Sequence, residues 1–331
     1  MATPVPISQT AGSGFLAANE IYQGDCRRLI PRVEGESIAC SLWSPPYFVG
    51  KQYEAYLDTF DDWQELIGEV IRLHIDIIRP GGFLIINIAD ILCFYDPQMP
   101  KIQAENVDRR KSKVTRDDVL RVKEGYPHLS RYELAKVLGC SEQTVDRRLN
   151  GNNIRGGKYA TQTRVKIVGG LVEEWALNAG FYLYDRRVWV KDPAWANSNW
   201  TTLSYRSVDE FEHLYIFWKP GITTIRRDKL TPQQWADWGS RAVWHIPSVR
   251  ANDDHEAKFP LELPRRLIQL FTERNDIVLD PFIGSGTTAE AAIVEGRRYV
   301  GIELSPEYAA LARKRIKDAL SRPTQIALPV R

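Results

Sequence analysis

Cysteine is scarce in this chain. The 331 residues hold four, at positions 26, 40, 93 and 140, and no two stand at the spacing of a metal-binding or redox pair. That pattern excludes a disulfide scaffold and a structural zinc site, and it predicts a cytoplasmic protein without a metal. Long apolar runs are also missing. The best, residues 83–89, is strand-sized, against the roughly 18 residues needed to cross a bilayer. The opening MATPVPISQTAGSGF has neither a basic start nor an apolar core, which predicts no secretion and no membrane partner. Net charge is only +2 and by itself names no partner. What is present is ordinary for a folded chain: 44% hydrophobic and 26% charged residues exclude a disordered protein. The length fits about two domains, or one large α/β domain with an insert.

The small net charge hides an asymmetry. Residues 101–164 carry 15 Lys and Arg against 8 Asp and Glu, a surplus of seven positive charges, so the rest of the chain carries five net negative ones. A basic segment within an acidic body reads as a surface for a polyanion or as a solvated loop. Outside it, strand and helix patterns alternate. Residues 38–42, 83–88, 187–191, 213–219, 276–279 and 298–304 read as strands. Residues 63–78 have apolar positions at helical spacing and are stopped by Pro80-Gly81-Gly82. Residues 165–177 read as a helix closed by Asn178, Ala179 and Gly180, and further helices are expected at 261–272, 288–294 and 306–319, the last capped by Ser305. Strands alternating with helices imply a doubly wound, mostly parallel α/β sheet.

Two segments carry chemistry. The first is Asp280-Pro281-Phe282-Ile283-Gly284-Ser285-Gly286-Thr287-Thr288. It follows a buried strand and opens a helix, so its glycines admit close approach of a ligand and the helix start offers free N–H groups. Glu303 ends the next strand, about 20 residues on, where a ribose hydroxyl is bound in nucleoside-binding sheets. No Gly-Lys-Ser/Thr ending is present, which disfavours a phosphate-holding loop. The alternative is a plain glycine turn. The second segment is Ser44-Pro45-Pro46-Tyr47 at a strand end. Two prolines remove two N–H donors and leave carbonyl acceptors at the ligand-binding edge of the sheet, Ser44 adds a hydroxyl, and Tyr47 adds an aromatic face. Taken alone, it reads equally as a proline turn closing a strand.

Together these segments resemble the S-adenosylmethionine-dependent DNA amino-methyltransferases, which methylate N4 of cytosine or N6 of adenine. The Pro-Pro motif comes first and the glycine motif last, the order of the family's β class. Gly24-Asp25 after Ile21-Tyr22 resembles the family's acidic turn near the cofactor. His255-Glu256-Ala257-Lys258-Phe259-Pro260 resembles the segment covering the methionine end of the cofactor, and Val300-Gly301-Ile302-Glu303 the strand with the ribose-binding acid. The resemblance spans residues 21–89 and 165–319. It implies S-adenosylmethionine as cofactor, held by Gly24, Asp25, His255, Phe259, Pro260, Asp280, Pro281, Phe282, Gly284, Ser285, Gly286, Thr287 and Glu303. It also implies catalysis by Ser44, Pro45, Pro46 and Tyr47 on a base flipped out of the duplex. The expected fold is a seven-stranded sheet in circularly permuted order with a small helical insert. A cytosine C5 enzyme is disfavoured because no cysteine follows a proline.

The insert departs from the family's minimal pattern. Residues 131–151 resemble a helix-turn-helix, with Ala135, Gly139 and Val145 at the small, turn and core positions. Ser141 is expected to cap the second helix and to leave Gln143, Thr144, Arg147 and Arg148 exposed toward a major groove. Arg155 and Lys158 lie in a basic hinge that suits phosphates. The competing reading is a helical hairpin that only packs. The domains are then 1–95, with the Ser-Pro-Pro-Tyr motif; 96–162, the basic insert; and 163–331, with recognition loops at 197–247 and the cofactor-binding half. Trp195, Trp200, Trp235, Trp238 and Trp244 read as packing residues, and His213 and His74 as core histidines. Implied partners are double-stranded DNA, a second copy on a palindromic site, and a restriction endonuclease. Ser44 tilts the product toward N4-methylcytosine over N6-methyladenine. Methylation of RNA or of protein glutamine, and an inactive DNA-binding regulator, stand as alternatives.

Overall fold

The computed structural model describes residues 14–47, 57–89, 91–96, 98–100, 102–104, 112–150, 159–161, 163–192, 210–224, 226–249 and 259–321. In chain order the elements are β1 (Glu20–Gln23), α1 (Cys26–Leu29), β2 (Ile38–Trp43), α2 (Phe60–Ile77), β3 (Ile78–Ile88), β4 (Ile91–Tyr95) and β5 (Ile102–Ala104). There follow α3 (Arg116–Gly125), α4 (Arg131–Val137), α5 (Glu142–Asn150), β6 (Tyr159–Thr161), β7 (Thr163–Ile167), α6 (Gly169–Ala179), β8 (Tyr182–Val190) and β9 (Phe211–Trp218). The chain continues through α7 (Pro232–Gln234), β10 (Val243–His245), α8 (Glu262–Phe271), β11 (Ile277–Asp280), α9 (Thr287–Val294), β12 (Arg298–Glu303) and α10 (Pro306–Ser321). Two compact units emerge: 1–95 with 164–198 and 207–331, and 96–163 with 199–206.

The larger unit is organised by one sheet in the order β1-β12-β11-β2-β3-β9-β8-β10. Only the β3–β9 and β9–β8 pairs are antiparallel. The sheet thus has eight strands rather than the expected seven, because β10 pairs with the outer side of β8. Every residue of β2 is buried, as a parallel strand covered on both faces requires. Side-chain alternation sorts the sheet into two cores. Ile38, Trp43, Leu84, Ile86 and Leu279 meet α2 and α6 on one face, and Cys40, Leu42, Phe83, Ile85 and Val278 meet α8, α9 and α10 on the other.

Local sequence explains the helices that flank the sheet. Thr59 and Asp62 close a reciprocal capping box at the start of α2, and Trp63, Leu66, Ile67, Val70, Ile71, His74 and Ile77 form its buried stripe. His74 is fully enclosed: Nδ1 lies 2.6 Å from the Val70 carbonyl and Nε2 2.8 Å from Ser41 Oγ. Burial pushes its imidazole down to about 4, so it is neutral in the fold. Residues 163–167 form strand β7, and the helix begins at Gly169 rather than at 165, since β-branched Thr163, Val165 and Ile167 alternate with Arg164 and Lys166. Gly180 closes that helix as expected. The helix α2 ends at Ile77, before the expected Pro80-Gly81-Gly82 stop, and those three residues lie within β3, which starts at Ile78. No helix of the described residues is long and apolar enough to cross a membrane.

The smaller unit holds α3, α4 and α5 with the β5–β6 pair. Val119, Leu134, Ala135 and Val145 form its core, joined by Val114, Val122, Leu129, Leu138, Cys140 and Leu149.

Candidate active site

The carboxyl ends of β12, β11, β2 and β3 lie side by side because these strands are parallel neighbours, with Leu279 opposite Ser41 and Trp43 opposite Ile86. Antiparallel β9 contributes its amino end to the same edge, and β8 its carboxyl end. Glu303, Asp280, Ser44, Asn87, Glu212 and Lys191 therefore stand in a row along one edge of the sheet, where open α/β sheets bind ligands.

The glycine segment begins with Asp280, which is only 2% exposed. Its Oδ1 accepts the Phe282 N–H at 3.0 Å and its Oδ2 the Thr288 hydroxyl at 2.6 Å. Burial pushes the carboxyl up to about 7, against those hydrogen bonds and with help from the negative charge of Glu303. Gly284 and Gly286 take φ of 51° and 89°, a left-handed path that turns the chain from β11 into α9. Glu303 receives the Gly284 N–H at 2.8 Å on Oε2 and the Ser305 N–H at 2.9 Å on Oε1, and burial raises its carboxyl above the ordinary value. Ser285 and Thr287 turn their hydroxyls to Arg315 of α10, at 3.1 and 2.5 Å. These two side chains brace the turn. Gly24 follows β1 and donates its N–H to the Glu303 carbonyl at 2.8 Å. Asp25 caps α1 and holds Arg27 at 2.7 Å; burial would raise its carboxyl, but the hydrogen bonds and charge of Arg27 outweigh that and hold it low. Phe282 meets the Trp43 ring edge-on at 5.4 Å. Phe259 packs against the α8–α10 core and Pro260 accepts the Leu263 N–H at the start of α8.

At Ser44 the polar groups are side chains. Ser44 Oγ lies 2.8 Å from the Tyr47 hydroxyl and 3.0 Å from the Asn87 carbonyl. Tyr47 donates to Glu212 Oε2 at 2.7 Å, and Asn87 Nδ2 donates to the same oxygen at 2.6 Å. Glu212, buried at the start of β9, completes an ion pair with Lys191. Trp63 Nε1 occupies the Pro46 carbonyl at 2.6 Å, which fixes the second proline. Asn87, Glu212 and Lys191 carry no motif; a polar residue inside an apolar strand (Ile86-Asn87-Ile88) is the one signal that marks Asn87.

In the smaller unit, Gly139 at φ 60° turns α4 toward α5, and Ser141 Oγ accepts the Thr144 N–H at 3.2 Å. Gln143 and Arg147 are exposed. Thr144 is half-buried, its hydroxyl 3.0 Å from Ser141 Oγ. Arg148 departs from expectation: it is half-buried and its Nε donates to the Val114 carbonyl at 2.9 Å, tying α5 to the chain before α3. The third helix, α3, is announced only by the Thr115-to-Asp118 capping box. His255, Arg155 and Lys158 lie outside the described residues, as do 197–209 of the expected recognition region.

A sequence profile of the DNA methylase family matches residues 38–314. The Type II methyltransferase M.BglI of Bacillus subtilis is 56% identical over 303 residues, covering 92% of this chain and 87% of the relative. The Type II methyltransferase M.Cfr9I of Citrobacter freundii is 34% identical over 321 residues, covering 93% of this chain and 90% of the relative. Among solved structures, a DNA modification methylase from Thermus thermophilus, complexed with S-adenosyl-L-methionine, shares the fold at a TM-score of 0.58 and 23% identity, covering 91% of this chain and 94% of that one. With both motifs at one sheet edge and a profile running through nearly the whole chain, the chain belongs to the DNA methylase family, the S-adenosylmethionine-dependent amino-methyltransferases of the N4/N6 class.

Proposed function

We propose that the protein methylates N4 of cytosine at a specific site in duplex DNA, with the base flipped out to the Ser44 edge of the sheet. The observation that carries the reading is the adjacency of two unlike clusters on neighbouring strands: a glycine turn between a buried and a half-buried carboxyl, and a hydroxyl backed by a fixed polar chain. The first suits a cationic nucleoside. Asp280 and Glu303 each keep acceptor capacity beyond the bonds they make, and burial raises both carboxyls above their ordinary values, which a cationic ligand beside them would offset. Asp280, Gly284, Gly286 and Glu303 would hold S-adenosylmethionine, with Gly24, Asp25, Phe282, Phe259 and His255 around it. When bound, it supplies an electrophilic methyl group on sulfur.

The rest falls to this chain's own residues. An exocyclic amino group is a poor nucleophile because its lone pair is delocalised into the ring. Ser44 Oγ and the Pro45 carbonyl accept its N–H hydrogens as the nitrogen moves toward tetrahedral geometry. The nitrogen would take the methyl group as the carbon–sulfur electron pair leaves with sulfur, and the extra amino proton would pass to solvent water. Holding both partners at one edge supplies much of the rate. Tyr47 stacks on the flipped base. Cytosine is preferred over adenine because serine at the first motif position is commoner among the family's cytosine N4 enzymes.

The α3–α5 unit reads the target: Gln143 and Thr144 face a base edge, and Arg147, Arg155 and Lys158 contact phosphates. Two copies on a palindromic site, a cytoplasmic setting and a cognate restriction endonuclease complete the reading. Digestion of methylated plasmid to nucleosides, followed by mass spectrometry, tests it. N4-methylcytosine is expected; N6-methyladenine would reverse the base assignment, and neither product would overturn the proposal.

A further inference from the structure

Hydrogen-bond direction along the Ser44 network is not arbitrary. A carboxylate only accepts, and an ammonium only donates. Lys191 takes Glu212 Oε1, so Glu212 Oε2 faces Tyr47 and Asn87 as an acceptor. Tyr47 must then direct its single proton to Glu212, which makes the phenol oxygen an acceptor toward Ser44, 2.8 Å away. Ser44 has one proton, and both of its close neighbours, the Tyr47 oxygen and the Asn87 carbonyl at 3.0 Å, accept it. The Ser44 oxygen is left with lone pairs to present. The same carboxylate fixes the Asn87 amide: Nδ2 points to Glu212, and the buried Oδ1 has no partner among the described residues.

We infer that Glu212, held by Lys191, is a positioning residue: it sets the direction of the Glu212–Tyr47–Ser44 hydrogen-bond chain so that the Tyr47 proton does not occupy a lone pair of Ser44 and both lone pairs stay open to the target amino group. The inference rests on the function proposed above. Its consequence is specific. In Glu212→Gln the amide oxygen is drawn to Lys191, because an ammonium has nothing to accept with, and the amide NH₂ is turned toward Tyr47. Tyr47 then accepts from Gln and turns its proton to Ser44 at 2.8 Å, the nearer of its two remaining acceptors, the Asn87 carbonyl being 3.4 Å away, and so takes up a Ser44 lone pair. The shape of the site is kept and the polarity of the chain is reversed.

The test is single-turnover methyl transfer from tritiated S-adenosylmethionine to unmethylated plasmid DNA by the full chain. Glu212→Gln should lower the rate by about tenfold, the scale of one misdirected hydrogen bond. S-adenosylmethionine affinity should stay near wild type, whereas the melting temperature should fall because Lys191 loses its counter-charge. With Tyr47→Phe the relay is gone, so adding Glu212→Gln to that variant should cost nothing further. An equal loss in both backgrounds, or a loss confined to cofactor affinity, would show a structural role and overturn the inference. If the buried Lys191 charge prevents Glu212→Gln from folding, two neutral pairs decide instead. Glu212→Gln with Lys191→Met leaves the amide free to turn its oxygen to Tyr47. It should be about tenfold faster than Glu212→Met with Lys191→Met; equal rates would overturn the inference. Wild-type protein that transfers no methyl group to DNA would sink the functional reading along with it, whereas normal wild-type transfer with an unaffected Glu212→Gln sinks the inference alone.

Discussion

At the ends of β11 and β12 the polar groups come from a short stretch of chain, nine residues of turn and one strand-end acid, and both carboxyls are tied to nearby backbone N–H groups. At the ends of β2, β3, β8 and β9 they are side chains gathered from five places, and each is fixed by another side chain. The first cluster has two acids and no base among these contacts, and burial raises both carboxyls above their ordinary values. The second neutralises its acid internally with Lys191. The contrast separates two tasks. A cluster short of positive charge is completed by a cationic ligand, whereas a self-neutralised one keeps its geometry with or without ligand and is fitted to direct hydrogen bonds.

The sharpest way to break this contrast is at Asp280. Asp280→Ala should weaken S-adenosylmethionine binding by at least about a thousandfold, on the scale of losing a buried charge partner. Isothermal titration calorimetry checks it, and near-normal affinity would remove Asp280 from the site. Asp280→Asn probes the raised carboxyl itself. The folded carboxyl is raised to about 7, so the fold binds a proton that the unfolded chain has released, and the stability that Asp280 contributes falls as pH rises from about 4 to 7. The asparagine variant lacks that slope and should become more stable than wild type by up to roughly 4 kcal/mol near pH 8, with little difference near pH 4. His74 acts in the opposite sense. It is neutral in the fold with a lowered value of about 4, so its contribution is full above about 6.5 and is lost as pH falls toward 4. Because both proteins contain His74, the difference in denaturation midpoint at each pH isolates Asp280. A constant difference would mean that Asp280 is ionised throughout.

Ser44→Ala sharpens the other half. It should slow single-turnover methyl transfer by roughly ten- to a hundredfold while leaving cofactor affinity unchanged, since its bond matters most as the amino nitrogen reorganises. An unchanged rate would leave the Pro45 carbonyl as the sole acceptor. The smallest effect divides two neighbouring arginines. Arg148→Ala should cost the three-helix unit about 1 kcal/mol, the bond to Val114, read as a lower melting temperature. Arg147→Ala should leave melting unchanged, weaken DNA binding, and flatten the log–log salt dependence by about 0.9. The reverse pattern would exchange their roles.

The same contrast explains which residues are legible in the sequence. Asp280, Gly284, Gly286 and Glu303 announce themselves because a tight turn demands glycine and the strand-end acid follows at a fixed interval. Ser44 to Tyr47 are visible for the same local reason. Asn87, Lys191 and Glu212 are not, since only the antiparallel β9 hairpin brings residues 165 positions apart to within 2.7 Å. His74 likewise finds Ser41 only across the sheet, 33 residues away. The sequence pattern starts α6 too early because apolar residues 165, 167 and 168 fit a helical spacing as well as the alternation of a strand. Arg148 reads as solvent-facing because a charged helix face normally is; its acceptor is a main-chain carbonyl, which no side-chain pattern reveals.

The pairing of β4 with β7 carries a consequence for how such proteins diversify. These strands bracket residues 96–162 and lie side by side, so the two ends of that segment are held together. Whatever is threaded between them, long or short, asks nothing new of the body, because the two ends are already joined and added length raises the closure entropy only logarithmically. A segment whose ends are paired in this way can change in length or sequence at little cost to the sheet that carries them.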